Sequence, residues 1–271
     1  MRIGDTGEQV RLLQQKLNTA GAKPALEPDA DFGQKTKDAV IAFQRRHGIS
    51  AIGVAGPRTM AALNGLTDPK RIDHADFERA AQQLGVSVAA VAAVAEVESA
   101  GRGFLPNGLP IILYERHIFY RQAEALDSEQ ANSWAAKYPN VCNRRRGGYT
   151  GGAGEHHRLS TAKSLDPFWA QEACSWGMFQ IMGFHWQALG YNSVTAMVNA
   201  MSQSEGAQLD ALVKFIKADK KLHQAMIGKR WATFARIYNG PAYKDNLYDV
   251  KLARTFDHFK SVYGTDEKAA A

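Results

Sequence analysis

Hydrophobic positions near the N-terminus recur at helical spacing. Val10, Leu13 and Leu17 fall on one face of a helix, and Val40 and Phe43 repeat the beginning of that pattern. The first 65 or so residues therefore predict three short helices around a small core. A unit of this size is too small to hold a deep catalytic cleft, so we expect its role to be binding.

The same stretch contains an internal sequence repeat. Its matching segments are Val10-x-x-Leu13-Gln14 with Val40-x-x-Phe43-Gln44, and Gly33-x-x-Thr36 with Gly56-x-x-Thr59. We expect Thr36 and Thr59 to cap the helices that follow, because a Thr oxygen accepts a hydrogen bond from a free N–H of the first turn.

The remainder of the chain predicts helices, long glycine-rich loops and one strand. Residues 66–75 resemble a linker, since they combine proline and mixed charges without an apolar period. Asp76 is expected to cap a helix over 77–84, and Ser87 to cap the next helix, Val88–Ser99. Pro110 to Glu115 is the best strand candidate. The fold class predicted is mainly α with a small β element.

Composition and charge restrict the function classes. The chain has 271 residues, of which 45% are hydrophobic and 22% charged, so a real core is expected and disorder is not. The net charge of +6 favours polyanions such as bacterial walls. Nucleic-acid binding is not expected, because the only dense basic run, Arg144-Arg145-Arg146, is typical of a solvated loop.

Cysteines and apolar runs indicate where the protein is made. Cys142 and Cys174 lack metal-ligand spacing, so we expect two free thiols, with a single bridge as the alternative in an oxidising compartment. The N-terminus has no apolar signal-peptide core, and the longest apolar run, Val88 to Ala95, is too short to span a bilayer. We therefore expect synthesis in the cytoplasm without a signal peptide or an integral membrane segment.

The helix predicted at Val88–Ser99 carries two glutamates with different environments. Glu98 shares a face with Val91 and Val94, whereas Glu96 points about 200° away. Burial of Glu98 in this apolar helix would raise its pKa, and the negative end of the helix dipole acts in the same direction. A carboxyl group that stays protonated is what a general acid for glycosidic cleavage requires. The alternative is a structural glutamate paired with Arg102.

The N-terminal motifs carry a family resemblance. They resemble the peptidoglycan-binding-domain-1 family, which implies a three-helix wall-binding module over residues 1–65 without catalysis of its own. One departure is Asp29-Ala30-Asp31, where the family usually has Asp-Gly. The motifs that carry the resemblance are Gly4-Asp5-x-Gly7-x-x-Val10, Leu13-Gln14-x-x-Leu17, Asp31-Phe32-Gly33-x-x-Thr36-x-x-Ala39-Val40-x-x-Phe43-Gln44 and Gly56-x-x-Thr59-x-x-Ala62-Leu63.

Motifs in the rest of the chain resemble lysozymes. Ala95-Glu96-Val97-Glu98-Ser99-x-Gly101, Ser175-Trp176-Gly177-x-x-Gln180-Ile181 and Tyr238-Asn239-Gly240 are similar, in this order, to segments of goose-type lysozymes and lytic transglycosylases. Pro110 to His117 and Gly147 to Gly152 resemble the N-acetylmuramidase family of phage endolysins. This resemblance implies a lysozyme-like domain over 76–262, followed by a tail over 263–271. It also implies cleavage of the β-1,4 bond between N-acetylmuramic acid and N-acetylglucosamine, with Glu98 as the acid.

Glycoside hydrolysis usually needs a second carboxylate, as base or nucleophile. Glu115 is our choice, because Arg116 and His117 follow it and could keep it ionised. Glu155 is the competitor. Its neighbours His156 and His157 lack the spacing of a zinc site, so neither a metal nor a cofactor is expected.

Substrate contacts are expected from polar and aromatic side chains of the motifs. Gln180, Tyr238 and Asn239 would bond acetamido and hydroxyl groups, and Trp176, Tyr149 or Tyr114 could stack on sugar faces. Core packing is the alternative for Trp176.

Three hypotheses for the function follow. The first is a monomeric muramidase of phage origin that meets peptidoglycan after holin-type release. The second is a lytic transglycosylase, which needs one glutamate and leaves 1,6-anhydro ends. The third is a non-catalytic wall-binding or virion protein.

Overall fold

The computed structural model describes residues 1–49, 51–66, 68–99 and 101–263, apart from the side chain of Val262. The predicted tail beyond Tyr263 lies outside these residues. Contacts divide the chain into two compact units. The first unit contains Met1–Val97 together with the chain from Ala225 onward, and the second contains Glu98–Gln224.

Helices dominate both units, as predicted. The first unit contains α1 Glu8–Thr19, α2 Gln34–Arg46, α3 Pro57–Leu63, α4 His74–Leu84, most of α5 Val88–Glu98, α13 Trp231–Tyr238 and α14 Tyr248–Tyr263. The second contains β1 Ile112–Tyr114, α6 Arg116–Leu126, α7 Ser128–Lys137, α8 Ala153–Leu165, α9 Pro167–Glu172, β2 Cys174–Trp176, β3 Ile181–Met182, α10 Val194–Met201, α11 Glu205–Ala218 and the start of α12 Lys220–Ile227. Short 3₁₀ turns lie at Gly183–His185 and Pro241–Lys244.

The three N-terminal helices enclose the small core that the apolar spacing predicts. Its buried side chains come from α1, α2 and the loops around them, and Met60 and Leu63 of α3 pack against it. They are Val10, Leu13, Leu17, Leu26, Phe32, Val40, Phe43, Ile49 and Ala55.

The internal sequence repeat corresponds to a repeated hydrogen-bond arrangement. The capping role predicted for its threonines is wrong. Gly33 and Gly56 occupy the N-cap positions, while Thr36 and Thr59 lie one turn further in and are buried. Gln14 Nε2 donates to Thr36 Oγ1 at 3.0 Å. Gln44 Nε2 donates to Thr59 Oγ1 at 2.9 Å. In each copy, therefore, a buried glutamine joins its own helix to the start of the next one.

The loop that departs from the family pattern has an unusual backbone. Ala30 has φ +66°, in the left-handed region that glycine adopts without a steric penalty. Its N–H donates to Gln14 Oε1 at 3.1 Å, so the buried amide of Gln14 contributes to holding this loop.

The helices before the lysozyme-like motifs begin and end close to the predicted positions. α4 starts three residues earlier than expected, because Asp73 is the N-cap and forms a reciprocal capping box with Asp76. The predicted cap at Asp76 is therefore wrong. Ser87 does precede α5, and its Oγ accepts from the N–H of Ala90 at 3.3 Å. Within the described ranges, no single helix is long and apolar enough to cross a membrane. α4 and α5 meet those criteria only as a pair bent by 109°.

A small antiparallel sheet lies in the second unit. Its strand order is β1-β2-β3, and Leu113 of β1 pairs with Ser175 of β2. β1 is the central part of the strand predicted over Pro110 to Glu115. Glu115 follows it directly and is the residue before α6, yet its side chain does not cap that helix. The carboxylate of Glu115 is therefore left to other partners.

Both cysteines are buried free thiols, as expected. Burial raises the pKa of the Cys142 thiol to about 11, so this group is protonated at neutral pH. The pKa of Cys174 is also raised, chiefly by burial.

Candidate active site

Glu115 lies at the junction of β1 and α6, and its carboxylate is surrounded by hydrogen-bond donors. The residue is only 5% exposed. Tyr149 donates its hydroxyl to Oε2 at 2.9 Å, and Arg146 Nη2 donates to Oε1 at 3.2 Å. His117 Nδ1 lies 3.1 Å from Oε2. The sequence therefore brings a carboxylate together with a cation, a phenol and an imidazole.

The charged neighbours of Glu115 differ from those predicted. His117 contacts the carboxylate as expected, but Arg116 does not. The Arg116 guanidinium donates instead to the backbone carbonyls of Pro139, Arg145 and Arg146. Arg146 takes the place predicted for Arg116, because the loop after α7 returns to the strand end.

The protonation of this cluster follows from burial and from the carboxylate. Burial lowers the pKa of His117, Arg146 and Arg121 lower it further, and Glu115 acts in the opposite direction. His117 is therefore neutral at neutral pH. Burial and the hydrogen bond to Glu115 raise the pKa of Tyr149, so its hydroxyl keeps the proton that it donates. Tyr149 is 45% exposed, and the Arg158 guanidinium carbon lies 5.8 Å from its ring centroid.

Glu155, the alternative candidate for the second carboxylate, is 0% exposed, and both of its oxygens accept hydrogen bonds. Its Oε1 accepts from the N–H groups of Thr150 at 2.6 Å and Gly151 at 3.0 Å, and from Thr150 Oγ1 at 3.2 Å. Its Oε2 accepts from the Tyr114 N–H at 3.0 Å and from Arg158 Nη1 at 2.6 Å. Glu155 thus joins the glycine-rich loop that carries Tyr149 to strand β1.

The surroundings of Glu155 keep its carboxylate ionised at neutral pH. Burial acts to raise its pKa, but the N–H groups of Thr150, Gly151 and Tyr114, with Arg158, lower it below the ordinary value of 4.5. Neighbouring His156 contacts the Pro110 carbonyl through Nε2 at 2.8 Å. Among the residues described, no group of three His, Cys, Asp or Glu side chains is arranged to hold a metal ion.

Glu98 is the last residue of α5 and the first residue of the second unit. Seven consecutive residues of α5, Ala89–Ala95, are buried, so the helix is apolar on every side, as predicted. Glu98 itself is half-buried, and its Oε1 atom is shielded from solvent. Glu96 is exposed, so the two glutamates have different environments, as predicted.

The Ser175 to Gln180 motif forms β2 and the tight turn that leads to β3. Gln180 has φ +50°, and its side chain closes the turn. Ser175 Oγ donates to Gln180 Oε1 at 2.7 Å, and Gln180 Nε2 donates to the Gly177 carbonyl at 2.8 Å. The amide of Gln180 therefore stabilises the turn, and its contact with substrate stays a prediction.

Two of the aromatic residues predicted to stack on sugars are in the core. Trp176 is 1% exposed and Tyr114 is 0% exposed, so neither ring presents a face to a ligand. The indole N–H of Trp176 donates to the Gln171 carbonyl, and the Tyr114 hydroxyl donates to the Val141 carbonyl. Both stacking assignments are corrected to core packing, because each polar atom is used inside the protein. Met178 and Ile181 are buried as well.

Tyr238 and Asn239 belong to the first unit, where they end α13. The Tyr238 ring stacks on Phe234 with centroids 5.7 Å apart, and Asn239 is the C-cap residue. Their predicted contacts with substrate stay a prediction.

Sequence reasoning missed Arg146 and Arg158. Arg146 belongs to the basic run that was interpreted as a solvated loop, and Arg158 donates two hydrogen bonds to the Asn140 carbonyl as well as pairing with Glu155. Arg158 and Glu155 are three residues apart on α8, a spacing that permits a helical ion pair. No local pattern indicates that Arg146 reaches Glu115, 31 residues away.

Comparisons with known proteins identify two families and a similar solved structure. Residues 6–63 match the putative peptidoglycan binding domain family. The crystal structure of Burkholderia AP3 phage endolysin is similar, with a TM-score of 0.84 and 53% identity, covering 96% of this chain and 99% of that chain.

Curated relatives match over shorter stretches. A zinc D-Ala-D-Ala carboxypeptidase of Streptomyces albus G is 37% identical over 28% of this chain and 32% of its own length. A probable N-acetylmuramoyl-L-alanine amidase of Bacillus licheniformis is 37% identical over 24% of this chain and 18% of its own length. This chain thus spans a third or less of the length of these relatives. Residues 87–260 match the N-acetylmuramidase family, and because that match spans more than half of the sequence, the chain belongs to the N-acetylmuramidase family.

Proposed function

We propose that this protein is a phage endolysin that hydrolyses the β-1,4 bond between N-acetylmuramic acid and N-acetylglucosamine in peptidoglycan. We assign residues 1–65 to wall binding, 66–75 to a linker and 76–262 to catalysis. The observation that carries the proposal is that one compact unit holds both a half-buried glutamate at the end of an apolar helix, Glu98, and a buried carboxylate beside an exposed tyrosine, Glu115.

Glu98 is the proposed general acid. It ends a helix whose body is buried and apolar, and the carbonyl groups at a helix C-terminus disfavour negative charge. Both influences favour the protonated carboxyl, which donates its proton to the oxygen of the leaving sugar.

Glu115 is the proposed second carboxylate, which activates water or stabilises the positive charge that develops on the sugar. Its donors Tyr149 and Arg146 are side chains that a sugar hydroxyl or water can replace. The exposed Tyr149 ring is a surface for a sugar face. Gln180, Tyr238 and Asn239 are proposed to bind acetamido and hydroxyl groups.

Lytic transglycosylase chemistry is the second candidate, and one observation favours it. Both oxygens of Glu115 are already engaged and the residue is 5% exposed, whereas a transglycosylase needs only one carboxyl group. Mass spectrometry of the products distinguishes the two reactions. Hydrolysis leaves reducing N-acetylmuramic acid ends, and transglycosylation leaves 1,6-anhydro ends that are lighter by one water.

The catalytic assignment is tested with Glu98→Gln in a turbidity assay on outer-membrane-permeabilised cells. We expect the variant to lose about 10²-fold or more in rate, because an amide cannot donate an acidic proton. Glu96→Gln is the matched control on the same helix and retains the wild-type rate, since Glu96 is exposed. Clearing by Glu98→Gln at the wild-type rate would refute the assignment.

The cellular setting of the proposed activity follows from its substrate. A phage enzyme made in the host cytoplasm reaches the wall after release through holin-type holes, and acts there as a monomer. The net charge of +6 favours approach to an anionic wall. Full-length Glu98→Gln should co-sediment with purified peptidoglycan, and less so at high salt, because salt screens this attraction.

A further inference from the structure

Two side chains at the start of α11 hold together segments that lie far apart in the sequence. Glu205 and Gln208 are one turn apart and both are almost completely buried. Glu205 Oε1 accepts the Gly103 N–H at 2.9 Å. Gln208 Nε2 donates to the Gly103 carbonyl at 3.3 Å, and Gln208 Oε1 accepts the Met178 N–H at 2.7 Å. We call this pair and its bonds the Glu205–Gln208 clamp.

The backbone around the clamp has no room for other side chains. A Cβ atom added to Gly103 would lie 2.2 Å from Gln208 Oε1, and one added to Gly177 would lie 2.5 Å from Gln208 Cδ. Gln208 therefore occupies the space between two glycines. This gives a physical reason for the glycine of the Ser175-x-Gly177 motif beyond its φ of +72°.

The clamped segments are those that carry the proposed chemistry. Gly103 lies five residues after Glu98 in the sequence, between α5 and β1, and Met178 lies in the turn that Gln180 closes. The backbone of Ile111 links the same two segments, because its N–H donates to the Gly103 carbonyl and its carbonyl accepts from the Gly177 N–H. Gln208 and the Ile111 backbone thus both connect Gly103 to the turn that begins at Gly177.

We propose that Glu205 and Gln208 are positioning residues, which fix Gly103, five residues after Glu98, against the turn of Gly177 to Gln180 and so orient the general acid. This inference rests on the proposed role of Glu98. In this role Glu205 acts as a hydrogen-bond acceptor, because its Oε1 accepts the Gly103 N–H in a buried position.

The test measures kcat and KM on soluble peptidoglycan fragments with full-length protein. Gln208→Met keeps the side-chain volume and removes its hydrogen bonds. We expect kcat to fall about 10- to 100-fold with KM nearly unchanged, because a displacement of about 1 Å in the acid affects the transition state more than substrate binding. Gln171→Met is the matched control, since Gln171 is a buried glutamine of the same unit that bonds Pro167 and Thr195 instead.

The Glu205 variants separate positioning from charge. Glu205→Gln keeps an oxygen that accepts the Gly103 N–H, so it should retain nearly wild-type kcat, whereas Glu205→Met should lose as much as Gln208→Met. These variants also decide the question if Gln208→Met melts below the assay temperature. Circular dichroism verifies that each variant is folded.

The outcomes are distinguishable. Wild-type kcat in Gln208→Met and Glu205→Met, or an equal loss in Gln171→Met, would overturn the positioning role. An equal loss in Glu205→Gln and Glu205→Met would overturn it in favour of a charged role for Glu205. Activity in Glu98→Gln would instead refute the proposed function itself.

Discussion

Glu115 and Glu155 are two buried carboxylates on either side of the same strand end, and they are held in different ways. Glu155 accepts five hydrogen bonds, three of them from backbone N–H groups. Within the described part of the chain, the hydrogen bonds to the Glu115 carboxylate come from side chains, and two of these, Tyr149 and Arg146, are exposed. Backbone donors cannot leave without unfolding the loop, whereas exposed side chains can turn towards a ligand.

The comparison teaches that burial alone does not identify a catalytic carboxylate. A carboxylate saturated by backbone donors stabilises the fold, and one held by movable side chains remains available for chemistry. The same loop supplies donors to both, since Tyr149 reaches Glu115 while Thr150 and Gly151 reach Glu155.

The largest effect is expected for Glu155→Gln. The substitution leaves Arg158 buried without its ionic partner, which costs about 3–5 kcal/mol in the free energy of unfolding. Urea denaturation measures this loss. Leu165→Ala, at the end of the same helix, is the control and should cost far less, since Leu165 is only half-buried. A loss below about 1 kcal/mol for Glu155→Gln would contradict the structural role.

The stabilisation by Glu155 should depend on pH. Because the folded protein lowers the pKa of this group below 4.5, the stabilisation is fully present above the unfolded pKa and is lost as the pH falls through the folded pKa. The difference in unfolding free energy between wild type and Glu155→Gln should therefore shrink as the pH falls from 7 to below about 4. Urea titrations at several pH values measure it, and a constant difference would argue against an ionised Glu155.

Tyr149→Phe should reduce kcat about ten-fold, because it removes one hydrogen bond to a charged group. KM should change little, because phenylalanine keeps the ring that is proposed to contact a sugar. Tyr149→Leu is the comparison variant and should raise KM. Wild-type kinetics in both variants would contradict the proposed role of Tyr149 in the site.

The smallest effect is expected for Arg146→Met. The Arg146 guanidinium is exposed, so its ion pair with Glu115 contributes within about 1 kcal/mol to stability. We expect the variant to be slower than the wild type by a few-fold. This difference should become smaller at high salt, because salt screens the same ion pair in the wild type. Arg145→Met, at an exposed neighbouring position, should have no effect on the rate.

Local patterns in the sequence predict much of the fold. Periodic apolar residues predict the N-terminal helices, and the apolar stretch that ends at Glu115 predicts β1. Thr36 and Thr59 were misassigned because a threonine three residues after a glycine has the same local signature at either helix position. Only the buried Gln14 and Gln44 decide that these threonines point inwards.

The candidate site was only partly predictable, because its contacts join distant segments. The family resemblance predicts Glu98, and the charged residues after Glu115 favour it as the second carboxylate. The contact of Arg146 with Glu115 joins positions 31 residues apart, which no local pattern predicts. The same holds for Gln208, whose partner Gly103 is 105 residues away. The sequence also does not predict that Trp176 and Tyr114 are buried, since an aromatic residue in a motif can pack in the core or stack on a sugar.

The most direct test of the account compares kcat per folded molecule for Glu115→Gln and Glu155→Gln on soluble peptidoglycan fragments, below the melting temperature of both. The account predicts a loss of about 10²-fold or more for Glu115→Gln and nearly wild-type turnover for folded Glu155→Gln. Turnover that survives in Glu115→Gln and disappears in folded Glu155→Gln would contradict it.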